Sequence, residues 1–277
     1  MNKKSYFIMG LPAAGKTTYL AALAYATKQT DKIKLQWKTF SGNNQYINDL
    51  SHSWLSGTVV SRTSLANQQL SISVELIDSD AGTTYGISFP DISGELFQNQ
   101  YVYREMEGDY STLLKQCDVV LLFVNPDNVI SPQFITELPE RFRNEDSPIM
   151  RKLQSDPTDV QLVELMQFVN YIRDDISTPI TIVVSAWDRV EVDYRKPEEY
   201  VKNNLPLLWQ YIVANSNVFI AQYFGISAQG GPINSEEDAE QLIEKYENPI
   251  DRIKVVNNNG AVFHDPSIIL WSGMQEG

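Results

Sequence analysis

Gly10-Leu11-Pro12-Ala13-Ala14-Gly15-Lys16-Thr17 is the stretch on which the fold turns. It fits the phosphate-loop pattern Gly-x-x-x-x-Gly-Lys-Thr. Residues 6–9 form a short apolar run that ends at Gly10 and reads as a buried parallel strand. Residues 16–27 are rich in alanine and leucine and read as a helix. Strand, glycine-rich turn, helix is the setting such a loop requires. The glycines let the backbone of residues 10–18 curl until its N–H groups converge on phosphate oxygens. Gly10, Leu11, Pro12, Ala13, Ala14, Gly15, Lys16, Thr17 and Thr18 therefore form the expected cradle. Lys16 can reach the β- and γ-phosphates, and Thr17 can place its hydroxyl on Mg²⁺. Ala21, Ala22 and Ala24 keep the following helix slim against the sheet.

Working outward, residues 31–69 are dense in Asn, Gln, Ser and Thr and read as loops with short helices. Residues 70–77 alternate apolar and polar and read as a strand, and residues 84–90 as its hairpin partner at the sheet edge. Residues 95–114 can form helix, residues 118–124 a central strand, and residues 125–157, with five prolines and many charges, a surface insertion. Helical periodicity over 158–176 precedes a strand at 180–185. Residues 197–213 read as helix with an irregularity at Pro206, and residues 217–226 as the next strand. A polar stretch with a short helix at 236–246, a hairpin around Asn257-Asn258-Asn259-Gly260 and the start of a helix at 266–271 complete the chain. This alternation predicts a three-layer α/β/α sandwich, mostly parallel, with one antiparallel edge strand. The expected organisation is one domain over 1–277 with insertions at about 31–69, 125–157 and 229–265.

Among 277 residues, 35 acidic against 22 basic side chains leave a net charge of −13. Such a surface disfavours nucleic acid and anionic membranes as partners. A nucleotide is different, because local backbone dipoles and one lysine hold its phosphates. No apolar run reaches the length of a membrane span. The one cysteine, Cys117, permits no internal disulfide and reads as a small residue at a strand start, which fits a reducing, cytoplasmic compartment. His52 and His264 have no metal-ligand spacing, and Trp37, Trp54, Trp209 and Trp271 read as packing groups.

Three further segments carry chemistry. Asp91 opens Asp91-Ile92-Ser93-Gly94-Glu95 just after a strand. An acid there can hold the Mg²⁺ shell through water. The Gly94 N–H can meet a γ-phosphate, an interaction that ends when the γ-phosphate is hydrolysed. Asp188, in Ser185-Ala186-Trp187-Asp188 at the end of another strand, can accept the two donors on the N1/N2 edge of guanine, a pair that adenine lacks. Ser227-Ala228 follows the next strand, beside the place a base would occupy.

In order, these segments resemble the signature elements of Ras-like P-loop GTPases of the translation-factor-related class. The chain looks most like the bacterial double-GTPase group, which is linked by gene neighbourhood to predicted conflict systems. The resemblance covers the core strands and most of the chain outside 31–69, 125–157 and 229–265. It implies GTP or GDP and Mg²⁺ as ligands, with Asp91, Ser93 and Gly94 as the Mg²⁺ and γ-phosphate loop. The catalytic glutamine position holds Glu95. The guanine tetrad Asn/Thr-Lys-x-Asp falls on Ser185, Ala186, Trp187 and Asp188, and the last element on Ser227 and Ala228. Ala186 replaces the lysine that packs on the base, so guanine affinity is expected to be weak unless Trp187 or Arg189 covers a ring face. Glu95 can orient a water, but its charge opposes the γ-phosphate, so hydrolysis is expected to be slow or partner-dependent. Pro12 stiffens the loop near the γ-phosphate. The resemblance also requires a switch threonine, Thr58 or Thr63. Thr63 is preferred because Arg62 beside it could neutralise transition-state charge in cis.

The resulting expectation is a GTP-binding switch that hydrolyses GTP, with a protein effector and pairing with itself or a related GTPase as expected partners. An ATPase or small-molecule kinase shares the phosphate loop, and a nucleotide-loaded interaction module with no significant hydrolysis fits Glu95 and the large insertions.

Overall fold

The computed structural model describes residues 2–29, 33–42, 44–58, 72–90, 94–106, 108–132, 155–174 and 176–271. Its centre is built by apolar runs. β1 (Asn2–Met9), β4 (Thr83–Phe89), β5 (Val119–Val124), β6 (Thr178–Ser185) and β7 (Phe219–Ser227) lie side by side and parallel in the order β4-β1-β5-β6-β7. Every residue of β5 is buried, as expected of a strand covered on both faces.

Both edges of the sheet are antiparallel. β2 (Gln36–Ser41) and β3 (Ile72–Asp78) extend it beyond β4, while β8 (Lys254–Asn257) and β9 (Val262–Phe263) extend it beyond β7. Two strands, β3 and β8, therefore run against the others, so the expectation of a single antiparallel edge strand needs correction. The second comes from the hairpin at 254–263, which joins the main sheet through β7 instead of standing apart.

α1 (Lys16–Gln29), α2 (Asn44–Leu55) and α9 (Ile268–Trp271) cover one face. α3 (Glu95–Tyr103), α4 (Gly108–Gln116), α5 (Thr158–Arg173), α6 (Pro197–Asn204) and α7 (Pro206–Ala214) cover the other. α8 (Glu236–Lys245) starts at Ser235, whose hydroxyl accepts from Asp238 N–H.

α1 is buried nearly all round, because α2 packs over the side turned away from the sheet. The alanines at 21, 22, 24 and 26 make room for both neighbours. The reading of 31–69 as loops with short helices missed β2 and left the position of α2 open. Ile47, Leu50 and Trp54 sit at i, i+3 and i+7 and form one buried stripe, which outweighs the surrounding Asn, Gln and Ser. Pro206 starts a helix instead of bending one: it is the first residue of α7, where a missing N–H costs nothing. Asp159 at the start of α5 caps α7, accepting from Leu207 N and Leu208 N at 2.7 Å each. Burial raises the Asp159 pKa above the usual carboxylate range, against those two hydrogen bonds.

Candidate functional site

Each parallel strand delivers a site segment at its carboxyl end, where open α/β sheets take their ligands. β1 runs into Gly10, β4 precedes 91–93 and Gly94, β5 runs into Asn125, β6 ends at Ser185 and β7 at Ser227.

The phosphate loop has the expected strand before it and helix after it. α1 begins at Lys16 and has no acidic residue in its first turn, so no side-chain anion competes at its positive end. Gly15 has φ +91°, and a Cβ there would lie 2.6 Å from the Ser185 side chain. The loop and the β6 loop therefore touch through an absent side chain. Ala13 also takes a left-handed conformation, φ +60°. For a residue with a Cβ this costs about 1–2 kcal/mol. Two amides meet its carbonyl: Asn125 Nδ2 donates to Ala13 O at 3.0 Å and Asn128 Nδ2 at 3.1 Å.

Lys16 is 2% exposed. Its ammonium donates to Gly10 O at 2.7 Å and Leu11 O at 3.2 Å and lies 5.7 Å from the centroid of the Phe97 ring. Gly94, the residue before α3, has φ +85°. A Cβ on it would come within 2.7 Å of both the Leu11 backbone and Lys16 Nζ. Only glycine lets α3 approach the loop this closely. Glu95 follows as the first residue of α3 and is exposed, where its charge favours the helix N-terminus.

On the other side of the loop, the Ser185 hydroxyl donates to Val124 O at 3.2 Å. Ala186 is left-handed, φ +47°, and turns the chain into a 3-10 turn at Trp187–Arg189. Ser227 Oγ donates to Asp188 Oδ1 at 2.5 Å, so the end of β7 meets the turn that follows β6. Ala228 lies beside them, and its carbonyl accepts from Trp54 Nε1 of α2 at 2.9 Å.

Trp187 departs from expectation. It is 1% exposed and lies in the core on the α3–α7 side, against Gly225 of β7, where a Cβ would come within 2.3 Å of its ring. The ring anchors the base-side loop from below and does not cover a base. Arg189 pairs with Asp127 at 3.3 Å, which ties this loop to the turn after β5.

The structure thus brings together residues 10–18, Gly94, Glu95, Ser185, Ala186, Asp188, Ser227 and Ala228 at one end of the sheet. Arg62, Thr63, Asp91 and Ser93 lie outside the described residues. The Thr58 hydroxyl donates to Ser53 O at 3.2 Å at the end of α2. Among the described residues, no group of three or more His, Cys, Asp or Glu could hold a metal ion. Thr17, the residue expected to offer Mg²⁺ a hydroxyl, stands in the first turn of α1. Reading the sequence placed Asn125 and Asn128 in a surface insertion. Their one sequence signal is an asparagine directly after a fully apolar strand.

Among solved structures, the chain is similar to the bacterial selenocysteine-specific elongation factor EF-Sec, at 14% identity and TM-score 0.38 over 88% of this chain and 28% of that one. It is similar to the Arl6 (BBS3) small GTPase from Trypanosoma brucei with a bound nucleotide analogue, at 10% identity and TM-score 0.41 over 88% of this chain and 96% of that one. A third is the GTPase-like domain of S. cerevisiae Ski7 bound to GTP, at 13% identity and TM-score 0.43 over 90% and 52%. The chain thus spans less than two thirds of the elongation factor and of the Ski7 chain. Comparison with curated proteins finds no match. A model of the double-GTPase 1 family matches residues 7–269. That match runs from within β1 into α9 and takes in every strand of the sheet, and the chain belongs to the double-GTPase 1 family.

Proposed function

We propose that this chain is a GTP-binding switch that hydrolyses GTP to GDP and phosphate with Mg²⁺, slowly or when prompted by a protein partner. One observation carries the residue assignment: the Asp188–Ser227 pair lies beside a phosphate loop whose Gly15 touches Ser185. A base held by Asp188 and phosphates held by residues 10–18 are then parts of one ligand.

In this reading the Lys16 ammonium exchanges the Gly10 and Leu11 carbonyls for β- and γ-phosphate oxygens. Backbone N–H groups of the loop and the start of α1 share the phosphate charge. Thr17, with Asp91 and the switch threonine Thr63, would hold Mg²⁺, which would neutralise phosphate charge during transfer. Gly94, already against Lys16, offers its N–H to the γ-phosphate and hands its presence or loss to α3. Glu95 orients the attacking water, Arg62 neutralises transition-state charge, and Ser185, Ala186, Ser227 and Ala228 line the base site. Trp187 acts by packing beneath it. A cytoplasmic setting, an effector that reads the segments around 31–69 and 125–157, and pairing with itself or a related GTPase belong to the same proposal.

Glu95 also favours a second reading, a nucleotide-loaded module with little turnover, since its negative charge would oppose that of the γ-phosphate. Steady-state turnover with saturating GTP and Mg²⁺ tests both. Glu95→Gln is expected to raise kcat about tenfold by removing that charge. A Glu95→Gln variant slower than the parent would remove Glu95's charge as the brake.

A further inference from the structure

We propose that Asn125 and Asn128 are positioning residues of the nucleotide site, whose two side-chain amides grip the Ala13 carbonyl and hold the phosphate loop in its left-handed kink. The proposal rests on reading residues 10–18 as the phosphate cradle.

Ala13 is the one residue with a Cβ among the loop's three positive-φ positions; the others are Gly10 and Gly15. A kink that an alanine resists needs support from outside itself. Beside the loop lies only a small, partly open cavity of about 20 Å³, lined by Leu11, Pro12, Phe123 and the two asparagines among others. The support comes from the two amide donors, both on a single carbonyl.

Their own geometry is fixed. Asn125 Oδ1 accepts from Asp127 N–H at 3.0 Å, which assigns its Nδ2 to the side facing Ala13. Asn128 N–H donates to Asn125 O at 3.1 Å, and Pro126 stiffens the 3-10 turn between them. The fork is therefore a preformed piece of the β5 end and needs no ordering when ligand arrives.

Its effect on the ligand follows from the planarity of the peptide bond. The plane that carries the Ala13 carbonyl also carries the Ala14 N–H, pointing the opposite way. Holding one aims the other. The Ala14 N–H makes a 3.2 Å turn bond to Leu11 O, which it would exchange for a phosphate oxygen. The same turn reaches the base side through Asp127 and Arg189, so phosphate and base loops are braced against one support.

The test measures release of fluorescent GDP and GTP analogues from the parent chain, from Asn125→Ala, Asn128→Ala and the double variant, and from each combined with Ala13→Gly. Glycine adopts the kink without strain, so it should make the fork dispensable. The double variant is expected to release both nucleotides about tenfold faster, as for the loss of two neutral hydrogen bonds. Adding Ala13→Gly should bring release back to within about threefold of Ala13→Gly alone. Asn128 is exposed on its turn, so Asn128→Ala tests the idea even where the double variant folds poorly. Release at the parent rate in all Asn variants, or losses identical with and without Ala13→Gly, would overturn the fork while leaving the nucleotide site intact. A parent chain that binds neither analogue would overturn the reading of the site and the fork with it.

Discussion

In the proposed switch, Gly94 and Lys16 carry the response of the site to ligand. The ammonium of Lys16 is buried on loop carbonyls, and Gly94 stands where a Cβ would collide with both the lysine and Leu11. Gly94→Ala adds that Cβ at a φ of +85°. It should destabilise the fold by about 1–3 kcal/mol, measured by urea unfolding, and weaken GTP binding more than GDP binding. Equal losses for the two nucleotides would separate Gly94 from the γ-phosphate. Cys117 is a second residue-level case. Burial pushes its thiol up to about 11, with the Arg173 guanidinium opposing the shift in part. Below that value the thiol keeps its proton, so at neutral pH Cys117 should react with a thiol reagent far more slowly in the folded chain than in urea. Comparable rates would mean that it is not held inside. The phosphate loop was readable because its eight residues are consecutive. The Asn fork was not, because its partners are 112 and 115 positions apart and no pattern links them.

At the level of elements, α2 is tied to the loop after β7, which the proposal places beside the base. Trp54 is fully buried, donates to Ala228 O, and stacks under the Arg252 guanidinium, which lies 4.2 Å from its ring. Arg252 also donates to Trp54 O at 2.8 Å, closing the end of the helix. Trp54→Phe keeps a ring in place and removes the N–H. It is expected to cost roughly 1 kcal/mol in urea unfolding and to speed GDP release, because the Ala228 carbonyl loses its partner. Unchanged release would detach α2 from the base loop. The central strands were legible as apolar runs, and Asp188 as an acid at a strand end. Trp187 was not: its burial depends on Gly225 in a later strand, a proximity that spacing does not encode. β2 escaped for a related reason. Its Lys38 and Thr39 are exposed at the sheet edge, and its strand character comes from pairing with β3.

For the whole molecule, the net charge of −13 is spread over a chain in which no described helix is long and apolar enough to cross a membrane. Like charges repel across the folded surface, and salt screens them over roughly 8–10 Å at physiological strength. The melting temperature should therefore rise between about 20 mM and 300 mM NaCl, over which the screening length falls about fourfold. A fall would mean that attractive pairs such as Lys3–Glu75 and Lys34–Asp78 outweigh the repulsion. The central claim concerns the ligand that the converging loops take. Calorimetric titration of nucleotide-stripped protein with GDP, GTP, ADP and ATP, each with Mg²⁺, tests it most directly. The account predicts guanine nucleotides bound in preference to adenine, and that preference lost in Asp188→Ala. Adenine preference, or equal binding of both bases, would contradict it and leave Asp188 an ordinary loop acid.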